Sequence, residues 1–131
     1  MGDLIVRQFI FVYGTLKRGQ ILHHRLNQKP LFKTTIKGFD LYTHPNIWYP
    51  ALTKGSRSII GEVYEISPLK LKEMDDVEGV STGLYRRELV QITHPKTYAK
   101  INVYVYLKED VKGWFLVNKA IVEWPITPSF S

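Results

Sequence analysis

The chain has 131 residues, 44% hydrophobic and 23% charged, a composition that suits one globular domain with a packed core and excludes a largely disordered chain. It has no cysteine, which removes disulfides, thiolate metal sites and a cysteine nucleophile. The net charge is +6, from 18 Lys and Arg against 12 Asp and Glu, and no apolar run approaches the length of a membrane-spanning helix.

In chain order, "LIVRQFIFV" (Leu4–Val12) reads as a strand that ends in the apolar run Phe9–Val12. A glycine-bounded cationic loop follows, and then "ILHHRLNQ" (Ile21–Gln28) as a short helix. Leu31–Thr43 is strand material broken at Gly38, and "HPNIWYPALTKGS", with Pro45, Pro50 and Gly55, reads as loop. "SIIGEVYEI" (Ser58–Ile66) is a strand in which Gly61 marks a bulge or a close backbone approach. Ser67 as N-cap and Pro68 at the first helical position open a helix that runs to about Val77, with Gly79 placed to end it. Leu84–Ile92 and Ala99–Leu107 alternate as strands. Beyond Gly113, Trp114, Phe115 and Trp124 point to packing on the body, while Pro125 and Pro128 point to a non-helical end. No repeat or linker divides the chain, so residues 1–131 read as a single α+β domain, with a curved or closed sheet and two or so short flanking helices. Strands and long helices do not alternate, which argues against a doubly wound nucleotide-binding sheet.

Two stretches carry chemistry. In "FVYGTLKRGQ", Gly14 and Gly19 are separated by four residues, like the first half of a P-loop, but Gln20 and Ile21 replace the lysine and hydroxyl that such a loop needs. The loop still suits a smaller anion. Gly14 permits close backbone approach, the N–H groups of Gly14, Thr15 and Leu16 can face one concavity, and Thr15 adds a hydroxyl. A plain turn between strand and helix is the alternative. In "SPLKLKEMDDVEG", Leu71, Met74 and Val77 recur at helical spacing, and Glu78 falls on the same stripe, four residues after Met74. A carboxylate there is either a solvated helix end or an inward acid. If inward, burial, the negative helix end and the nearby Asp75 and Asp76 would each raise its pKa, which suits general acid–base work. The charge distribution fits a small zwitterion, with solvated loop and strand-edge charges as the alternative. No acid lies between Asp3 and Asp40, where Arg7, Lys17, Arg18, Arg25, Lys29, Lys33 and Lys37 gather, whereas Glu73, Asp75, Asp76 and Glu78 cluster together.

"FVYGTLKRGQ", "GEVYEI", and "EMDDVEG" followed by "YRRELV" together resemble the γ-glutamylcyclotransferase-like superfamily, and within it the γ-glutamylamine cyclotransferase and AIG2-like branch. The matching segments span about residues 9–92. The resemblance implies a small barrel-like α+β fold and an intramolecular reaction, in which the α-amine of a γ-glutamyl group attacks its own side-chain amide to give 5-oxoproline and a free amine. It implies Glu78 as the acid/base and Tyr13, Gly14, Thr15 and Leu16 as the loop holding the glutamyl moiety. It further implies Tyr85 at the pocket border and "YPAL" (Tyr49–Leu52) as a second lining loop.

Such a cyclisation requires no cofactor and no metal, and His23, His24, His44 and His94 form no recognisable ligand spacing. The expected partner is a small γ-glutamyl substrate, in a soluble, cytoplasmic protein with no membrane and no nucleic-acid partner. The tyrosines lie mostly in strand patterns, where core packing is expected rather than base stacking. The alternative is a non-catalytic module that binds a small anionic metabolite on the same scaffold.

Overall fold

The computed structural model describes residues 7–14, 17, 26 and 28–125. The helix expected over Ile21–Gln28 lies almost wholly outside the described residues, as do Thr15 and Leu16.

The first described strand, β1 (Gln8–Val12), lies at the centre of the sheet. A long hairpin follows: β2 (Phe32–His44) and β3 (Ile47–Ile66), joined across Pro45 and Asn46. The segment expected to be loop, from His44 to Ser56, is therefore mostly strand. Of its turn-forming residues, Pro45 sits at the chain reversal, whereas Pro50 and Gly55 sit at irregularities of the ladder. Pro50 stands where the register shifts between the Tyr42–Ala51 and His44–Ile47 pairs, so its missing N–H breaks no regular rung. Gly38, at φ 88°, and Gly55 mark a bulge where Phe39 faces both Lys54 and Arg57. Asp40 locks that corner, accepting from the Ser56 N–H at 3.2 Å and from Arg57 Nη1 at 2.9 Å.

After the hairpin come helix α1 (Pro68–Val77), a 3-10 turn at Val80–Thr82, β4 (Arg86–Thr93), β5 (Lys100–Leu107), and two short strands, β6 (Phe115–Leu116) and β7 (Ile121–Val122). The sheet order is β4-β5-β1-β3-β2-β6, with β7 on β3. The β1–β5 and β3–β7 pairs are parallel and the others antiparallel, so the sheet is mixed, as expected for this α+β chain.

Both faces of β1 are buried. Phe11 and Tyr13 pack on one face with Leu41, Leu52, Val63 and Val105, a cluster the curled sheet wraps around. Ile10 and Val12 pack on the other with Tyr64, Ile66, Tyr106, and Leu71 and Met74 of α1. Gly61 allows the tight β1–β3 approach, because a Cβ there would lie 2.3 Å from Phe11 Cζ and 2.5 Å from the Val12 carbonyl oxygen. Among the described residues, no helix is long and apolar enough to cross a membrane.

Candidate active site

Helix α1 aims Glu78. The Ser67 hydroxyl accepts the Lys70 N–H at 3.1 Å, and Pro68 opens the first turn. Leu71 and Met74 bury the inner stripe against β1. The helix stops at Glu78, whose N–H still donates to the Met74 carbonyl at 2.9 Å, because Gly79 turns left-handed at φ 66°. The Leu84 N–H then returns to the Gly79 carbonyl at 3.0 Å and leads the chain into Tyr85. The side chain of Glu78 is thereby held on the stripe that faces the sheet.

There it meets the end of β1. Tyr13, Gly14, Glu78 and Tyr85 line one cavity, which Tyr49, Pro50 and Tyr106 wall further. The enclosed space is about 30 Å³, opening to about 330 Å³ when the solvent at its mouth is included. Four of the six candidate residues therefore come together; Thr15 and Leu16 lie outside the described residues. Of "YPAL", Tyr49 and Pro50 reach the cavity, from a strand rather than a loop.

Three phenols fix the walls. Tyr13 donates to the Tyr106 carbonyl at 2.7 Å, Tyr85 to the Pro50 carbonyl at 2.6 Å, and Tyr106 to Asp75 Oδ1 at 2.8 Å. Burial raises all three pKa values, so these groups stay neutral, with their protons committed to protein acceptors. Gly14 is required by contact rather than by φ: a Cβ there would lie 2.8 Å from Pro50 Cγ.

Burial pushes the Glu78 carboxyl up to about 7. The neighbouring acids do not share in this as the sequence led us to expect. Asp75 is held by Arg87 at 2.7 Å and by the Tyr106 hydroxyl, and Asp76 is exposed. A carboxyl that titrates near neutrality can both take and return a proton.

The basic N-terminal third is partly neutralised by acids from later in the chain. Arg7 pairs with Glu65 at 2.8 Å and Lys33 with Glu123 at 2.9 Å. Lys17 is 5% exposed, donates to the Trp124 carbonyl at 2.6 Å and lies 3.6 Å from Glu123. Burial lowers its pKa. Its own N–H donates to the Gly14 carbonyl at 3.0 Å. The cation of the loop thus ties the pocket to the C-terminal segment.

Of the histidines, His44 meets Trp114 edge-on and His94 packs on Phe32; His23 and His24 lie outside the described residues. Among the described residues, no group of three or more His, Asp or Glu is placed to hold a metal ion.

Tyr106 and its hydrogen bond to Asp75 escaped the sequence reading. The alternation of Val103, Tyr104, Val105 and Tyr106 places both tyrosines on one face of β5, but only the packing of α1 on that face brings Tyr106 to Asp75.

The family model "Gamma-glutamyl cyclotransferase, AIG2-like" matches residues 10–123. The chain belongs to this family. Among its relatives, a gamma-glutamylaminecyclotransferase from Rattus norvegicus is 36% identical over 93 residues, covering 63% of this chain and 62% of the rat protein, less than two thirds of its length. A gamma-L-glutamyl-butirosin B gamma-glutamyl cyclotransferase from Niallia circulans is 31% identical over 108 residues, covering 77% of this chain and 68% of that one. The solution structure of protein ytfP from Escherichia coli superposes with a TM-score of 0.60 at 31% identity, covering 87% of this chain and 95% of that one.

Proposed function

We propose that this chain, as one domain, converts a γ-glutamyl amine or related γ-glutamyl amide into 5-oxoproline and a free amine, with Glu78 as general acid/base. The observation that carries the proposal is a single one: a carboxyl raised to about 7 and the Gly14 end of β1 face the same small cavity.

The chemistry asks little else of the protein. The substrate's neutral α-amine nitrogen attacks the γ-carbonyl carbon, closing a five-membered ring. The attacking nitrogen gives one proton to the Glu78 carboxylate, which passes it to the amide nitrogen. The bond between carbonyl carbon and amide nitrogen then breaks, and its electron pair leaves with the amine. Proximity supplies much of the rate, because nucleophile and electrophile belong to one molecule. In this reading, main-chain N–H groups of Gly14, Thr15 and Leu16 receive the anionic end of the glutamyl group, and the pinned rings of Tyr13 and Tyr85 hold its methylenes. No step calls for a metal or an organic cofactor. The absence of cysteine suits action in the reducing cytoplasm.

The test is incubation with γ-glutamyl alkylamines and γ-glutamyl dipeptides, followed by assay for 5-oxoproline. Glu78→Gln should still bind substrate yet release none. Thermal protection by these amides with no product from the unmodified protein would instead mark a binding module.

A further inference from the structure

The rings that wall the cavity continue beyond it. Tyr49 lies edge-on to Tyr85 with centroids 6.1 Å apart, edge-on to Trp48 at 5.3 Å, and tilted against Trp114 at 6.2 Å. Trp48 is 57% exposed, a large apolar face left open to solvent beside the pocket. Lys108 stands on this shelf. Its ammonium lies 5.9 Å from the Tyr85 ring centre and 6.0 Å from that of Trp114. It forms no ion pair among the described residues. Tyr85 and Lys108 also border an open cleft of about 320 Å³.

The shelf therefore begins where the glutamyl pocket ends, since Tyr49 and Tyr85 belong to both. Resting on the cyclotransferase reading, we infer that it is the leaving-group subsite and that it selects γ-glutamyl amides of aromatic amino acids, with the ring laid against Tyr49 and Trp114 and the α-carboxylate met by Lys108. Ring faces and edges favour a planar group over an alkyl chain of the same size. The cation-accepting positions over Tyr85 and Trp114 are already taken by Lys108, so a leaving group that carried its own ammonium would meet a like charge there. A carboxylate meets an ammonium that lacks an acidic partner. In an aromatic amino acid both features branch from the carbon attached to the scissile nitrogen, which matches a ring surface and a cation on one wall of the pocket mouth.

Four substrates separate the two features: γ-glutamyl-phenylalanine, with ring and carboxylate; γ-glutamyl-alanine, with carboxylate alone; γ-glutamyl-phenethylamine, with ring alone; and γ-glutamyl-butylamine, with neither. On the unmodified protein, kcat/KM should fall in that general direction, roughly ten-fold for loss of either feature. The differences should lie mainly in KM, since the reacting atoms are shared. Lys108→Met should raise KM several-fold for the two carboxylates and leave the two amines unchanged. Trp114→Ala should raise it for the two ring compounds only. Equal turnover of the butylamide and the phenylalanine dipeptide would overturn the subsite while leaving the cyclotransferase standing. So would variants that shift all four substrates alike. If none of the four yields 5-oxoproline, both proposals fall. The ranking on the unmodified protein decides the matter even if a variant fails to fold.

Discussion

The two buried sides of β1 do different work. Around Phe11 the cluster is almost wholly aliphatic and aromatic hydrocarbon, with Leu41, Leu52, Ile59, Val63, Val103 and Val105 at 0% exposure. Around Ile10 and Val12 the apolar residues are mixed with Tyr64, Tyr85 and Tyr106, and the edge of that cluster meets the cavity where Glu78 stands. Apart from Tyr13, which reaches the cavity and donates to the Tyr106 carbonyl, the first region has no polar group to orient, so it is limited mainly by packing. The second combines apolar bulk with hydroxyls that reach a carbonyl or a carboxylate. The role proposed for Glu78 needs that second kind of surrounding: dry enough to raise its pKa, yet fixed enough to hold the walls in place.

Substitutions should separate the two regions. The largest effect is expected for Glu78→Gln, which should lower kcat about 10²- to 10⁴-fold in a 5-oxoproline assay while far-UV circular dichroism stays the same. On the dry side, Leu41→Ala should cost about 2–5 kcal/mol in urea unfolding but leave kcat/KM of the folded fraction unchanged. If Leu41→Ala cut turnover as deeply as Glu78→Gln, the division between the regions would be wrong.

The pH response sharpens the comparison. The Glu78 carboxyl is raised from its ordinary 4.5 to about 7 by burial, so its neutral form favours the folded state. That contribution is complete below 4.5 and is lost as pH rises through about 7. Glu78→Gln should therefore match the unmodified protein in acid, and exceed its stability by on the order of 2–3 kcal/mol well above neutrality. Activity should move the opposite way, with kcat/KM rising toward a plateau as the carboxylate forms near pH 7. The smallest effect is expected for Tyr85→Phe. Loss of its hydroxyl leaves the Pro50 carbonyl without that donor, costing about 1–2 kcal/mol and raising KM more than it lowers kcat. A Tyr85→Phe protein with unchanged melting and kinetics would remove the hydroxyl from the account of the walls.

Features set by local chemistry could be read directly from the sequence. Ser67, Pro68 and Gly79 announced both ends of α1, and the stripe of Leu71 and Met74 put Glu78 in line with the buried side while leaving a solvated helix end open. The distant glycine motif and this helix end do meet in one cavity. The first half of β3 was hidden because Pro45, Pro50 and Gly55 are common loop residues. Only the partner strand shows that two of them occupy a register shift and a bulge. Asp75 was misjudged for a similar reason. Sequence places it three residues before Glu78 as a like charge, whereas Arg87 from β4 and Tyr106 from β5 occupy its carboxylate across the fold. Lys17 looked like part of a solvated cationic loop until its acceptor, 107 residues away, came into view.

That bond has a practical corollary for anyone who shortens or extends the protein. Lys17 joins Trp124 to the turn that carries Gly14, so the segment around Trp124 acts as a fastening for the cavity that Glu78 lines. A version cut before Trp124 would leave the enclosed Lys17 ammonium with Glu123 but without its carbonyl acceptor, a loss on the order of 1–3 kcal/mol placed at the rim of the site.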